Sequence, residues 1–300
     1  MTGPEYRCGF ACLLGRPNTG KSTLINALVG TKVAIMSDRP QTTRQVIRGI
    51  VHRDDGQIVV VDTPGFHRPR TLLGQRLNDL VLATVSEVDV VMLCVPADAR
   101  VGPGDRYIAE QLARTAGRTP VIAVVTKTDL VAPDVVADRL LEVSRLGEWV
   151  EIVPVSARDG FQLGLLTDLL LARLPVSPPL YPDGELTDAP ERQMVAELIR
   201  EAALDGVRDE LPHSIAIVVE EMATRPDRDD LVDIAADLYV ERESQKGIVI
   251  GVKGQRLRQV GTTARAQIEA LLGTRVYLDL RVKVAKDWQR DPKQLRKLGF

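Results

Sequence analysis

The chain has 300 residues, 44% of them apolar, with 39 basic side chains against 41 acidic ones and a formal net charge of −2. That length suits two domains or one large one, and the near-balanced charge excludes indiscriminate coating of nucleic acid, although a global sum can conceal opposed local fields. Three cysteines, Cys8, Cys12 and Cys94, read as core thiols of a reduced cytoplasm. Three scattered histidines exclude a histidine metal cluster, and neither a signal peptide nor a membrane-length apolar run is present.

Strand-like apolar runs recur at 10–14, 46–51, 57–61, 88–95, 120–125 and 151–155, with helical patterns at 21–29, 72–85, 104–116, 134–147 and 162–173. Strands alternating with helices predict an α/β domain with a mostly parallel sheet covered on both faces. Ligands of such sheets bind beyond the carboxyl ends of the strands, so the segments after each strand carry the chemistry.

After the first strand comes Gly15-Arg16-Pro17-Asn18-Thr19-Gly20-Lys21-Ser22, followed by Thr23 and an amphipathic run. A strand, a glycine loop with this GxxxxGK[ST] spacing and then a helix is the context of a phosphate-binding loop. The glycines let backbone N–H groups turn inward, and the helix start adds its positive dipole end. Lys21 supplies a point charge for the outer phosphates, and the Ser22 hydroxyl is a magnesium ligand. After the third strand, Asp62-Thr63-Pro64-Gly65 places a carboxylate where it can hold magnesium through water. The Gly65 N–H is placed where it can meet a γ-phosphate.

The polar stretch Ser37–Arg44 contains Gln41-Thr42-Thr43-Arg44, and a threonine here is able to close over the metal when a third phosphate is present. After the fifth strand, Thr126-Lys127-Thr128-Asp129 offers a carboxylate for the guanine N1 and N2 donors and a lysine stem to cover the base. Adenine lacks that donor pair and is rejected. Ser156 and Ala157, after the sixth strand, are positioned for the guanine O6.

These segments, in this order, resemble the five motifs of translation-factor-type GTPases, and the Gln41-Thr42-Thr43-Arg44 and Phe66-His67 pairings narrow the resemblance to the Era family. The resemblance implies GTP and GDP as ligands, with Ser22 and Thr43 binding Mg2+ directly and Asp62 through water. By the same resemblance Gly15 to Thr23 and Asp62 to Phe66 contact the nucleotide, and Thr126, Lys127, Asp129, Ser156 and Ala157 hold guanine. Lys21, Thr43 and Gly65 are the expected catalytic residues. Phe66 stands where many GTPases carry a water-orienting glutamine, so no general base is assigned and intrinsic turnover is expected to be slow. Asn18 is a candidate potassium ligand. The sequence departs from the family at Thr126, usually asparagine, at Thr19, usually small and apolar, and at Val95–Ala97, which lacks an acid common after that strand.

The first domain is expected to span 1–174, and the proline-rich stretch 175–190 to form a semi-rigid linker. From 191 to 300 the order is helix, two strands (213–222 and 231–243), two helices and a strand, which resembles a type II KH module. Gly251-Val252-Lys253-Gly254 is its GxxG, where glycines allow close approach of a nucleic-acid backbone. Gly247, Ile250, Gly251, Val252, Lys253, Gly254, Arg256, Arg258, Lys283 and Lys286 are the candidate RNA contacts. Residues 244–300 hold 13 basic against 4 acidic side chains, and residues 205–243 hold 4 against 12, so the neutral total is a cancellation. The whole-chain resemblance implies a monomeric cytoplasmic switch in maturation of the 30S subunit, bound to the 3′ end of small-subunit ribosomal RNA. Peripheral attachment to the inner membrane face is a further implication. The alternatives are a non-catalytic GTP-gated RNA-binding module, or a GTPase of tRNA modification or membranes.

Overall fold

The computed structural model describes residues 5–36, 43–44, 46–69, 71–207 and 211–300. Of the switch stretch, Ser37 to Thr42 lies outside the described residues, and Thr43 and Arg44 lie within them. Contacts divide the chain into two compact units: the first takes in Arg76–Asp188 and most of what precedes it, and the second is built on Ala189–Phe300.

The first unit is a six-stranded sheet of order β2-β3-β1-β4-β5-β6, formed by β1 (Arg7–Leu14), β2 (Ile47–Arg53), β3 (Gly56–Asp62), β4 (Val90–Pro96), β5 (Val121–Thr126) and β6 (Glu151–Pro154). All pairings are parallel except β2 with β3. Strand alternation sorts the core into two layers. Ala11 and Leu13 face a cluster with Leu24 and Ile25 of α1 (Lys21–Val29) and Leu166 and Leu170 of α5 (Leu163–Leu171). Cys12 and Leu14 face the other cluster. It includes Val81 and Val85 of α2 (Leu72–Glu87), Ile108 of α3 (Pro103–Thr115) and Val143 of α4 (Pro133–Ser144). The three cysteines are buried free thiols, and burial pushes Cys12 and Cys94 up to about 12, as the core-thiol reading expects.

The proline-rich stretch differs from a linker. Through Asp188 it is part of the first unit and lies along its sheet edge. Pro175 O accepts from Cys8 N at 3.1 Å, Leu186 O accepts from Ile50 N at 2.9 Å, and Arg48 pairs with Asp188 at 2.8 Å. Gln57, fully buried in β3, accepts from the N–H groups of Leu180 (2.9 Å) and Tyr181 (3.0 Å) and donates to Tyr181 O (2.9 Å). Prolines set the extended path, but the backbone groups between them found partners on β2 and β3, which linear composition does not reveal. Gln57→Leu keeps the volume and orphans three backbone groups. It is expected to cost about 3 kcal/mol and lower the first unit's melting midpoint by on the order of 10 °C. A thermal midpoint unmoved in circular dichroism would show that the strap is not fastened there.

The second unit orders α6 (Glu191–Leu204), α7 (Leu211–Ser214), β7 (Ala216–Arg225), β8 (Arg228–Val240), α8 (Glu243–Ile250), α9 (Gln255–Leu272), β9 (Arg275–Val284) and α10 (Pro292–Lys297). The sheet runs β7-β8-β9, antiparallel then parallel. The expected helix and strand order holds. The strand expected from 213 starts at Ala216, because the short helix α7 occupies Leu211–Ser214. Trp288 is wholly buried, donates to Ser214 O at 3.0 Å and stacks on Phe300 at 5.5 Å, fastening the carboxyl end. Among the described residues no helix is long and apolar enough to cross a membrane.

Candidate nucleotide site and nucleic-acid groove

Sheet topology brings the carboxyl ends of β1, β3 and β5 to one edge of the first unit, and the motif residues follow them. Gly20, at φ 88°, turns the chain into α1, whose first N–H groups have no side-chain cap and are left for an anion. Lys21 is buried, and its Nζ donates to Gly15 O (3.2 Å) and Arg16 O (3.0 Å). Burial pulls the Lys21 ammonium below its ordinary value, and Asp62 pulls the other way. A phosphate supplies the counter-charge that this ammonium lacks.

Ser22, Thr43 and Asp62 meet as the resemblance implies. Ser22 Oγ lies 3.1 Å from Thr43 Oγ1 and donates to Asp62 Oδ2 at 2.7 Å, and Thr43 Oγ1 donates to the same carboxylate oxygen at 3.0 Å. Two hydroxyls and a carboxylate beside a phosphate loop form an all-oxygen donor set, which fits magnesium. Thr63 is buried with its hydroxyl on Leu13 O at 2.5 Å, so it holds the strand end and leaves ligand contact to the backbone. A Cβ on Gly65 would lie 2.8 Å from Pro17 N and 2.9 Å from Pro17 Cα. Only glycine lets these two backbones approach so closely.

Phe66 was expected among the nucleotide contacts, yet its ring is buried in the α3 layer, stacked on Tyr107 at 5.7 Å. Its backbone N–H donates to Gly15 O at 3.1 Å, so the main chain is tied to the loop. Hydrophobic burial outweighs the sequence neighbourhood, and the ring cannot orient water. The Arg16 side chain turns away from the loop's inner face. Its Nε pairs at 2.7 Å with buried Asp105, whose other oxygen accepts from Gly102 N at the start of α3 (2.9 Å). Arg16 therefore braces the loop from outside. Asn18, a candidate cation ligand, is exposed in a left-handed conformation at φ 63°, Pro17 is half-buried and Thr23 is exposed on α1.

At the base end, Asp129 Oδ1 accepts from Ser156 Oγ at 2.9 Å, and Ser156 Oγ accepts from Asp159 N at 3.1 Å. This fixes the carboxylate's rotamer beside half-buried Ala157. Thr126 is buried and donates to Thr19 O at 2.6 Å. Its hydroxyl joins β5 to the phosphate loop and is not left for the base, which corrects its expected role. Thr19 is buried, and its own hydroxyl donates to Arg16 O at 3.0 Å, so the departures at 19 and 126 meet each other. Lys127 pairs with Asp98 at 3.2 Å. The acid missing from Val95–Ala97 thus sits one residue later and steadies the lysine.

The second unit carries a separate groove. Gly251 (φ 71°), Lys253 (φ 49°) and Gly254 (φ 74°) turn the chain between α8 and α9, leaving Val252 76% exposed. Beside this turn lies a cavity of about 380 Å³, lined by Gly254, Leu257, Arg258, Gly261, Thr262 and Arg265 from the α9 side and Tyr277, Leu278 and Leu280 from β9. Gly247 is exposed and Ile250 half-buried at the end of α8. Two expected contacts are turned elsewhere. Arg256 Nη2 donates to Asp205 O at 2.6 Å, satisfying the end of α6. Lys283 ion-pairs with buried Asp237, which holds its ammonium above the usual lysine range. That pair, and not the groove, takes the Lys283 ammonium. Lys286 is exposed in the turn after β9. Leu257, Gly261, Arg265, Leu278 and Leu280 were missed. The i, i+4, i+8 spacing of 257, 261 and 265 is the signal that would have found three of them.

Two family models match the chain, a 50S ribosome-binding GTPase over residues 10–127 and a KH domain over 210–289. GTPase Era of Mycobacterium sp. (strain JLS) is 68% identical over 297 residues, 99% of each chain. The chain belongs to the Era GTPase family. GTPase Era of Streptomyces coelicolor is 64% identical, covering 98% of this chain and 95% of that one. A solved Era in complex with MgGDPNP and nucleotides 1506–1542 of 16S ribosomal RNA superposes with TM-score 0.93 at 36% identity, covering 98% of this chain and 99% of that one. An Aquifex aeolicus Era variant bound to GDP·AlF4− gives TM-score 0.92 at 36% identity, with the same coverage. As an Era-family GTPase, the chain hydrolyses GTP.

Proposed function

We propose that this Era-family protein couples GTP binding at the Gly15–Ser22 loop to capture of the 3′ end of small-subunit ribosomal RNA in the GxxG groove, and acts in maturation of the 30S subunit. The observation that carries the reading is the match over 98% of the chain to an Era holding MgGDPNP and nucleotides of 16S ribosomal RNA.

In the nucleotide site, Asp129 accepts from the guanine edge and Lys127 covers the base, held by Asp98. Lys21 leaves the loop carbonyls for the outer phosphates. Ser22 and Thr43 would hold the metal and Asp62 would order its water; when bound, magnesium neutralises charge on the phosphates. The Gly65 N–H would donate to the γ-phosphate, and no side chain acts as general base. Preorganised donors and charge supply the acceleration, as in other phosphoryl-transfer sites with little covalent chemistry. Working in the cytoplasm fits this role. Attachment to a membrane surface finds support only in the basic end, Lys286 to Lys297.

Gly254→Asp tests the RNA half of the reading. A Cβ there meets nothing within 4 Å; the left-handed φ of 74° strains a side chain by about 1 kcal/mol, and aspartate is among the residues that visit this region most readily. The fold is therefore expected to persist. A carboxylate at the clamp is expected to weaken binding of a fluorescent single-stranded RNA of the 16S 3′ end by about 30-fold, or roughly 2 kcal/mol. Unchanged affinity in the GDPNP-loaded full chain would reject RNA as the groove's ligand.

A further inference from the structure

The segment after Asp62 is held from two directions. On one, the Thr63 hydroxyl donates to Leu13 O at 2.5 Å and Phe66 N–H donates to Gly15 O at 3.1 Å, so the main chain is fastened to β1 and the phosphate loop. On the other, two side chains rest on one ring. Tyr107 of α3 stacks on Phe66 with the ring centroids 5.7 Å apart and the planes 16° from parallel. The guanidinium carbon of Arg68 lies 5.5 Å from the centre of the same ring. Gly65 comes immediately before this pair of contacts.

α3 does not depend on Tyr107 for its own packing. Ile108, Ala109 and Leu112 bury the helix, and Tyr107 stands half-buried beside them. Two residues before it, buried Asp105 pairs with Arg16 at 2.7 Å. Gly104 makes room for that arginine, since a Cβ there would lie 2.5 Å from Arg16 Cδ. One helix start thus grips the phosphate loop through Asp105 and the segment after Asp62 through Tyr107. It fixes the spacing between the two parts that meet a γ-phosphate.

We propose that Tyr107 is a positioning residue for GTP hydrolysis. Its ring sets the places of Phe66 and Arg68, and through them the place of the Gly65 N–H against the γ-phosphate. Tyr107 touches no reacting atom. Without the ring, Phe66 loses its stacking partner, and the Gly65 N–H spends part of its time out of line with the phosphate. GDP offers no γ-phosphate, so its binding does not depend on this alignment. The proposal rests on the reading of Gly65 as a γ-phosphate donor.

Single-turnover hydrolysis and GDP titration of the full chain test it. Tyr107→Leu keeps an apolar side chain at a half-buried position and is expected to fold. Its hydrolysis rate is expected to fall about tenfold, a fraction of the cost of losing the donor outright. Its GDP affinity should stay within about twofold of wild type. Tyr107→Phe retains the flat ring and should hydrolyse within about twofold of the wild-type rate. A Tyr107→Leu rate within about twofold of wild type would overturn the proposal. So would a Tyr107→Phe as slow as Tyr107→Leu, which would place the effect on the hydroxyl. A GDP affinity that falls in step with the rate would show that the residue only supports the fold. Gly65→Ala separates the two readings. If it hydrolyses GTP normally, the γ-phosphate reading of Gly65 falls and the role of Tyr107 falls with it. If it is slow while Tyr107→Leu is not, the role of Tyr107 falls alone.

Discussion

Asp129→Asn is expected to lower GTP affinity about a thousand-fold and to create affinity for xanthosine triphosphate. The carboxylate accepts from two guanine donors, N1–H and the N2 amino group. Asparagine keeps one acceptor and turns the other into a donor, which faces the amino group and leaves both unsatisfied. One bond lost with two donors left unpaired, and the other stripped of its charge assistance, amount in a closed site to about 4 kcal/mol. Xanthine carries a carbonyl where guanine carries the amino group, so the new donor finds a partner there. The rotamer survives the change, because Ser156 Oγ donates to Asp129 Oδ1 (2.9 Å) and an asparagine oxygen accepts equally well. Titration with fluorescent guanine and xanthine nucleotides reads both halves. Loss of GTP binding with no gain for xanthosine triphosphate would mean that Asp129 does not read the base edge.

Gly65→Ala is expected to slow GTP hydrolysis about 100- to 1,000-fold, the cost of removing one preorganised donor from a developing anion. The added Cβ meets Pro17 N at 2.8 Å and Pro17 Cα at 2.9 Å. Both are backbone atoms of the phosphate loop, so no flexible side chain can yield, and the Gly65 N–H must retreat. GDP has no γ-phosphate, and its affinity should change only a few-fold. Single-turnover hydrolysis together with GDP titration checks the pair. A normal rate would remove Gly65 from the reacting site.

Motif order made the nucleotide site legible because the Ser22 loop and Asp62 close out parallel strands that end on one edge, and Thr43 leads into antiparallel β2, whose first residue Ile47 pairs with Asp62. The oxygens of Ser22, Thr43 and Asp62 converge as expected for that reason. Long charged side chains were not legible in the same way. Arg16 reaches Asp105, 89 residues away in sequence, and Arg256 reaches the carbonyl of Asp205, 51 away. Nothing local marks such partners, since they are set by which elements pack together. Lys283 was more accessible to reasoning. The apolar Leu278, Leu280, Val282 and Val284 alternate with it, and that period places it on the other face of β9. Basic residues near a GxxG divide by strand face and by ion-pair partner, which sequence proximity does not show. The strap over 175–188 was hidden for a different cause, because backbone groups, which every residue carries, do most of its binding.

That strap fixes where the GTP-binding half can be cut. β2 is the antiparallel border of the six-stranded sheet, and Ile50 N spends its hydrogen bond on Leu186 O. A fragment stopped at Leu174 would lay bare that strand's unpaired amides and carbonyls and the polar end of Gln57. Naked strands of this kind recruit other chains into intermolecular sheets. A soluble autonomous G fragment must therefore carry its own selvedge, the fourteen residues that end at Asp188.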